Sequence, residues 1–225
     1  MPAKNKTKTF EPNSFYHLYN RGYNRQEIFL DKQDYATFLY LLKRYLDPNF
    51  REKRKTPQGE VYWNRPNTVS HQLKLIAYCL MPNHFHLLVF QKNPRGITKL
   101  MRRIASNYAT YFNKKYQKEG SPFQGTYRAV KVISEEQLLH LSRYIHLNPE
   151  SLWCRSLADY PYSSYSIYIK HRNCPRWLFP EEILAYFNAK TKNKSSYFHF
   201  VESFAKLKPH QREKSILSYK DLLLE

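Results

Sequence analysis

Two histidines at alternating positions, His84 and His86, form the first candidate for chemistry. They lie in the run 81–89, whose apolar residues after Met-Pro-Asn predict a strand that follows a turn. In a strand, residues i and i+2 project from the same face, so the two imidazoles stand side by side while Phe85 turns to the other face. Such a pair can ligate one divalent cation. The same pattern is typical of two partly exposed histidines on a sheet, so the pair alone does not establish a metal site.

A second candidate lies near the end of a predicted helix, in the run 143–149. Tyr144 and Asn148 are four residues apart and are therefore neighbours on one helical face, whereas Ile145 lies on a different side and supplies core contact. If this helix packs on the sheet, it brings a hydroxyl and an amide oxygen to the histidines. Asparagine is a neutral oxygen ligand, and tyrosine is a covalent nucleophile once its pKa of about 10 is offset by a metal-polarised phosphate. Among 20 tyrosines, only this joint pattern singles out Tyr144.

The elements that must position these residues follow from hydrophobic periodicity. Apolar runs predict four strands, over residues 15–22, 73–80, 85–90 and 127–133. Helical spacing predicts a helix capped by Asp31, a second over 97–112 and a third from Ser134 to about Asn148. The order of strand, helix, strand, strand, helix, strand and helix predicts an α+β fold. It is a ferredoxin-like (βαββαβ) antiparallel sheet with an added C-terminal catalytic helix.

The length of 225 residues is enough for one good core. We expect residues 1–10 to be a flexible basic arm and residues 11–168 to be the catalytic domain. Within that domain, residues 47–70 contain three prolines and several Lys and Arg, which predicts an inserted basic loop. Residues 169–225 form a C-terminal extension, for which DNA contact is one reading; residues 179–189 within it have a helical pattern.

Charge and cysteine content restrict the class of partner. The chain has 37 Lys and Arg against 18 Asp and Glu, a net charge of +19, which favours nucleic acid as the partner. No apolar stretch approaches the roughly 18 residues of a membrane-spanning helix, so no membrane partner is expected. The N-terminus lacks the apolar segment of a secretion signal. Three widely spaced cysteines predict reduced thiols and a cytoplasmic location: Cys79, Cys154 and Cys174.

Basic residues on the second helix and the following strand are candidate phosphate contacts. The segment 98–118 contains no acidic residue, although a solvated basic face is the alternative. The candidates are Arg102, Arg103, Lys114, Lys115, Arg128 and Lys131. Four tyrosines suit either base stacking or ordinary packing: Tyr160, Tyr162, Tyr165 and Tyr168.

Several stretches in this order resemble one family. FYHLYNRGYNRQEIF, LIAYCLMPNHFHLLVF, GITKLMRRIASNYATYFNKKY, GSPFQGTYRAV and LSRYIHLNPE are similar to the REP-associated tyrosine transposases. These belong to the single-tyrosine, His-hydrophobe-His transposases of insertion sequences. The resemblance covers roughly residues 14–168 and is carried by the combination of motifs. Two departures concern DNA contacts, namely Thr126 where a basic residue is usual and 150–152 where a Val-Arg-Ala-like run is usual.

The resemblance implies a ferredoxin-like catalytic domain, with Tyr144 as nucleophile and His84, His86 and Asn148 as ligands of Mg²⁺ or Mn²⁺. It implies cleavage of single-stranded DNA with hairpin repeats through a 5′-phosphotyrosine link, followed by strand transfer. Imidazole ligands prefer borderline metals, so Mn²⁺ is expected to support activity at least as well as Mg²⁺. Arg21, in the NRGYNR turn, is family-like and is taken as a DNA contact. Relatives act as monomers or as homodimers.

Three other functions are compatible with parts of this pattern. One is a non-catalytic single-stranded nucleic-acid-binding module on the same fold, but the expected RGFGFV-like strand is absent. Another is a domesticated relative that nicks or processes repeats without mobilising itself, which would retain every residue named. A third is a rolling-circle initiator or plasmid relaxase, which shares the His-hydrophobe-His plan but fits the surrounding motifs less well.

Overall fold

A four-stranded antiparallel sheet forms the centre of the molecule. In the computed structural model, which describes residues 9–64, 68–153, 155–187 and 196–207, its strands lie in the order β4-β5-β1-β6. They are β1 (Ser14–Arg21), β4 (Leu73–Met81), β5 (His84–Gln91) and β6 (Arg128–Lys131). Each pair of neighbours is antiparallel, as in the predicted sheet. The α+β class with a four-stranded antiparallel sheet is therefore confirmed.

Three long helices begin where the sequence predicts, and side chains cap the first turns of two of them, the first and the third. They are α1 (Lys32–Leu46), α2 (Gly96–Tyr116) and α3 (Glu135–Leu147). The Asp31 carboxylate accepts from the backbone N–H of Gln33 and Asp34, and Asp34 completes a capping box. The Ser134 hydroxyl accepts from the Gln137 N–H at the start of α3. The predicted strands and helices thus follow one another in the predicted order.

The inserted segment before β4 differs from its prediction. Within residues 47–70, predicted as a loop, the strands β2 (Arg51–Thr56) and β3 (Gly59–Asn64) pair as an antiparallel hairpin. Gly59 has a φ of 122°, a conformation that favours glycine, and it lies where the chain reverses direction. The prediction of a loop is wrong for these two strands, because the charged sequence of β2 lacks the apolar alternation by which a strand is recognised.

The two faces of the sheet pack on different helices. Leu18, Phe85 and Leu87 project from one face into a core formed with α1 and α2. Leu88 and Met81 project from the other face into a core that includes Leu138, Leu141 and Ile145 of α3. Since successive strand residues alternate between faces, His84 and His86 lie on the α3 face and Phe85 on the α1–α2 face.

The described part of the C-terminal extension packs on the α3 face and along the edge strand β4. It contains α5 (Glu181–Leu184) and α6 (Tyr197–Ala205), preceded within the predicted catalytic domain by α4 (Tyr165–Tyr168). Leu75 of β4 pairs with Leu178, and Val201 of α6 is fully buried against α3. The helical pattern of 179–189 corresponds to α5 and a 3₁₀ turn over Ala185–Phe187.

Some predictions fall beyond these ranges. Most of the basic arm (residues 1–8), Cys154 and parts of the extension (188–195 and 208–225) lie outside the described residues. Of the other cysteines, Cys79 and Cys174 are free thiols. Among the helices in the described ranges, none has both the length and the apolar character needed to cross a membrane.

Candidate active site

The two histidines of β5 stand together at the end of the sheet next to the turn that joins β4 to β5. Their ring centroids are 4.9 Å apart and the rings are nearly perpendicular. His84 is partly exposed, whereas His86 is fully buried. In the sheet register His84 lies opposite Arg21 and His86 lies opposite Tyr19 of β1. The predicted pairing of the imidazoles on one face is thus what the strand geometry produces.

Asn148, at the end of α3, reaches the same place. Its Oδ1 lies 3.2 Å from Nε2 of His84, and its Nδ2 donates to the Tyr144 carbonyl at 2.9 Å. The second contact fixes the orientation of the amide, because only the NH₂ group can donate to a carbonyl. The amide oxygen therefore points toward the histidines. Pro149 follows directly and is buried, which is consistent with the chain leaving the α-helix here.

Tyr144 lies one helical turn before Asn148 and faces the histidine pair. Its ring centroid is 5.4 Å from that of His86, with the rings at 83°. It is partly exposed, so the phenol borders solvent while its ring packs on the sheet. One chain thus brings together all four predicted residues: His84, His86, Tyr144 and Asn148.

Burial favours the neutral form of both imidazoles. Burial lowers the pKa of His84, and the nearby Arg21 guanidinium lowers it further, against an opposing contribution from Asn148. Burial also holds the pKa of His86 well below its ordinary value, and the neighbouring His17 and His84 act in the same direction. A neutral imidazole has a lone pair on one nitrogen, which is the form that binds a metal.

The residues fit a divalent cation. Within the described residues, the buried Nε2 of His86 has no hydrogen-bond partner. A buried nitrogen without a partner is costly unless something else satisfies it. Asn148 Oδ1 lies 3.2 Å from Nε2 of His84, and Asn148 raises the pKa of both imidazoles against the effect of burial. In the described ranges, no three His, Cys, Asp or Glu side chains cluster in a way that could hold a metal. The site reaches three donors only by including an asparagine.

Comparison with known proteins identifies what this arrangement resembles. Residues 65–148 match the family model described as "Transposase IS200 like". The chain resembles the single-tyrosine transposases. The matched segment contains both histidines, Tyr144 and Asn148. It supports a transposase-type function in DNA processing and confirms the resemblance predicted from the motifs.

One solved structure agrees at the level of the fold. A REP-associated tyrosine transposase bound to a REP hairpin matches with a TM-score of 0.50 and 15% identity, covering 75% of this chain and 86% of that one. A proposed transposase from Deinococcus radiodurans matches with a TM-score of 0.35 and 17% identity, covering 64% and 95%, which is too weak to support a conclusion. No curated protein matches the chain. At 15% identity the first similarity establishes the fold and not the activity.

Two of the predicted DNA contacts lie on the same face of the sheet as the histidines. Arg21 is close enough to His84 to lower the pKa of that histidine, and its Nε donates to the Gln124 side chain. Arg128 is exposed and lies opposite Tyr19 in the register, so it projects from the same face as the histidines.

The remaining predicted contacts lie elsewhere. Arg102, Arg103 and Lys114 belong to α2, on the opposite side of the sheet from the histidines; Arg102 and Lys114 are exposed, and Arg103 lies over the Tyr45 ring. Lys131 pairs with Glu11 at 2.5 Å. These residues can contact only DNA that extends beyond the histidine site.

Lys115 has a structural role that the sequence did not indicate. Its ammonium contacts Asp31 at 2.7 Å and the buried Asp34 at 2.8 Å. These hydrogen bonds raise its pKa despite the opposing effect of burial. The interaction joins the start of α1 to the end of α2. The geometry therefore argues against Lys115 as a phosphate contact.

The four tyrosines left open between stacking and packing are mainly packing residues. Tyr160, Tyr165 and Tyr168 are buried, and the hydroxyls of Tyr160 and Tyr168 donate to carbonyls of β4. Tyr162 is partly buried and its ring stacks on Tyr35 with centroids 3.7 Å apart. Three of the four are therefore buried in the core, and Tyr162 already stacks on another ring.

Two residues in contact with the histidines were missed from the sequence. His17 of β1 is fully buried, and its Nε2 lies 2.9 Å from Nδ1 of His86. The Oδ1 of Asn83 lies 2.6 Å from Nδ1 of His84. Asn83 directly precedes the histidine pair in the sequence, which is a usable signal. His17 could be found only from the pairing of β1 with β5.

Proposed function

We propose that this protein cleaves and rejoins single-stranded DNA through a covalent bond to Tyr144. One observation carries the proposal: three lone-pair donors, on His84, His86 and Asn148, converge beside the Tyr144 phenol. His84 and His86 would hold a divalent metal through Nε2 and Asn148 would hold it through Oδ1. Such a set leaves coordination positions open for phosphate oxygens. Mg²⁺ or Mn²⁺ would supply charge neutralisation and orientation of the scissile phosphate.

The proposed step is a transesterification. The Tyr144 phenolic oxygen attacks the phosphorus and loses its proton to solvent, while the bond from phosphorus to the 3′ oxygen breaks. The leaving 3′ oxygen takes up a proton, so that a 5′-phosphotyrosine and a free 3′-hydroxyl result. Because the ester bond is retained in the adduct, a 3′-hydroxyl of another strand can reverse the step. Retention of this ester bond favours strand transfer over hydrolysis.

The chain's own residues prepare this step. Asn148 fixes its amide on the Tyr144 carbonyl, so the phenol and the metal ligand move together on one helical turn. Arg21 and Arg128 border the site and would bind the phosphates on either side of the scissile one. Burial of His86 keeps water from its Nε2 and strengthens the interaction with a cation.

We also propose hairpin repeats as the substrate, with the protein acting either as a mobile transposase or as a domesticated repeat-processing nuclease. The support is the similarity of fold to a transposase bound to a REP hairpin. The net charge of +19 and the exposed cations of α2 would bind the duplex or strand beyond the cleavage point.

The alternative of a non-catalytic binding module is less well supported. Such modules stack bases on an open sheet face. Here the centre of the sheet is covered on both sides, and Tyr16, His17, Leu18 and Tyr19 of β1 are each at most 1% exposed. The sheet therefore offers no open stacking surface at its centre.

Covalent capture tests the proposal. Single-stranded DNA carrying the hairpin repeats that flank the gene is incubated with protein and Mn²⁺, then denatured. We expect a denaturant-resistant adduct that retains a 3′ label and releases a 5′-labelled fragment. Tyr144→Phe should form none, whereas Tyr40→Phe, a change at a half-exposed tyrosine of α1, should match the wild type. An adduct with Tyr144→Phe would show that the nucleophile is another residue.

A further inference from the structure

Each of the two histidines makes a hydrogen bond through its Nδ1, on the side away from Asn148. Nδ1 of His86 lies 2.9 Å from Nε2 of His17, and Nδ1 of His84 lies 2.6 Å from Oδ1 of Asn83. The two partners come from different places, one from the adjacent strand and one from the turn before β5. Both contacts therefore act on the nitrogen that the proposed metal site does not use.

The hydrogen bond at His86 decides which of its nitrogens carries the proton. If Nδ1 donates to His17, Nε2 keeps its lone pair and can bind a cation. If His17 donates instead, the proton of His86 sits on the buried Nε2, which has no acceptor among the described residues. A buried N–H without a partner is costly, because it has lost its hydrogen bond to water. The first arrangement is favoured, and His17 is then the acceptor that holds it.

The hydrogen bond between His84 and Asn83 likewise favours a proton on Nδ1 and a lone pair on Nε2 of His84. Asn83 Nδ2 donates to the Arg25 carbonyl at 3.3 Å, so its Oδ1 is the atom turned toward His84. An amide oxygen can only accept, which places the proton of neutral His84 on Nδ1. Nε2 then presents its lone pair to Oδ1 of Asn148, another acceptor, at 3.2 Å. Two facing lone pairs at this distance are suited to a shared cation.

The turn that anchors Asn83 is itself tightly specified. Asn24 and Arg25 have φ values of 50° and 60°, which non-glycine residues rarely adopt. The Gly22 N–H donates to the Asn83 carbonyl at 2.8 Å, and a Cβ on Gly22 would lie 1.9 Å from the Gln26 carbonyl oxygen. Unusual backbone geometry persists only where surrounding contacts hold it. The turn thus gives Asn83 a fixed support behind His84.

We propose that His17 and Asn83 are positioning residues that hold His86 and His84 in the tautomer with Nδ1 protonated and Nε2 directed at the metal. The proposal rests on the proposed function, since it concerns the same metal site. Neither residue touches the substrate or the cation; each acts through the imidazole it contacts. Partners of this kind orient metal ligands and fix their tautomer.

The test begins without metal. In ¹⁵N-histidine-labelled protein above neutral pH, nitrogen chemical shifts distinguish protonated from unprotonated Nδ1 and Nε2. We expect His84 and His86 to be protonated at Nδ1 in the wild type. His17→Phe, which keeps a ring but removes the acceptor, should abolish that preference at His86 alone. Asn83→Ala should abolish it at His84 alone.

Metal affinity is the second readout. Titration calorimetry with Mn²⁺ should show affinity lowered roughly 10- to 100-fold by His17→Phe or Asn83→Ala. His17→Gln, which restores an acceptor of similar reach, should recover most of the affinity. Tyr168→Phe removes a different buried hydrogen bond, from the hydroxyl to the Ile76 carbonyl, and should leave Mn²⁺ affinity unchanged. This control separates positioning from a general loss of stability.

Different results would refute the two proposals. Wild-type His86 protonated at Nε2, or His17→Phe without effect on tautomer and affinity, would overturn the positioning role. Protein with both histidines protonated at Nδ1 that binds neither Mn²⁺ nor Mg²⁺ would confirm the hydrogen-bond assignment and refute the metal site of the proposed function.

Discussion

Replacing Lys115 by Met is expected to destabilise the fold while leaving DNA binding nearly unchanged. The Lys115 ammonium contacts the carboxylate of Asp34, which is 0% exposed, at 2.8 Å and that of Asp31 at 2.7 Å. After the change, Asp34 keeps the hydrogen bonds from the hydroxyls of Tyr111 and Tyr116 and loses its cation. The charge remains buried and is only partly compensated.

The magnitude follows from what remains at Asp34. Because other donors still reach the carboxylate, the loss corresponds to one hydrogen bond to a charged group, about 2 kcal/mol. For a protein of this size that lowers Tm by roughly 4–8 °C. If Lys115 makes no phosphate contact, the salt dependence of DNA affinity should not change, whereas each lost contact to a single strand reduces its slope by about 0.7.

Thermal unfolding and DNA titrations across a salt series measure both quantities. Lys114→Met, a change at the exposed neighbouring residue on α2, is the matched control and should leave Tm unchanged. Its effect on the salt slope reports whether Lys114 contacts phosphate. If Lys115→Met kept the wild-type Tm and reduced the slope, the assignment of Lys115 to a structural ion pair would be wrong.

Three further outcomes are expected. Burial lowers the pKa of His146 in the folded protein to about 3, whereas the ordinary pKa of histidine is about 6.5. Below a pH of about 6.5 the unfolded chain therefore binds more protons than the folded one. The free energy of unfolding measured with urea should therefore be highest above a pH of about 6.5 and should decrease as the pH drops toward about 3. The decrease should be smaller in His146→Phe. Chelation with EDTA should abolish the covalent adduct and Mn²⁺ should restore it at least as well as Mg²⁺; activity with Zn²⁺ alone would contradict the assignment of the metal. Since Tyr144 lies beside His86 of the same chain, mixing Tyr144→Phe with His86→Ala should give no adduct. Recovery of the adduct in the mixture would mean that the site is shared between two chains.

Much of the fold could be predicted because the signals are local. The caps at Asp31 and Ser134 and the periodicity of α2 each depend on residues within one element. The hairpin over 51–64 could not be predicted, since its first strand reads Arg-Glu-Lys-Arg-Lys-Thr and shows no apolar alternation. Its pairing is visible only in the backbone hydrogen bonds.

In the candidate site too, local sequence patterns predict some residues, and only the tertiary structure reveals the others. Tyr144 and Asn148 could be paired from their spacing on a helix, and His84 and His86 from their spacing in a strand. The role of His17 depends on the register that places Tyr19 opposite His86, which no local pattern specifies. The ion pair of Lys115 depends on α1 packing beside α2. The sequence of α2 alone, which has no acidic residue, therefore predicts a DNA contact at Lys115 instead of an ion pair.

The placement of Tyr144 depends on residues beyond the segment that matches the transposase family. On α3, His146 is hydrogen-bonded to Tyr197 at 2.7 Å and to Ser164 at 2.8 Å, and the Arg143 guanidinium lies 3.7 Å from the Phe204 ring centroid. Since α6 supplies Tyr197 and Phe204, the C-terminal extension packs against α3, whose Tyr144 faces the histidines. Residues 65–148 contain the proposed chemical groups, but β1 and α6 supply contacts that fix their geometry. Sequence similarity confined to the chemical groups therefore underestimates how much of the chain the site requires.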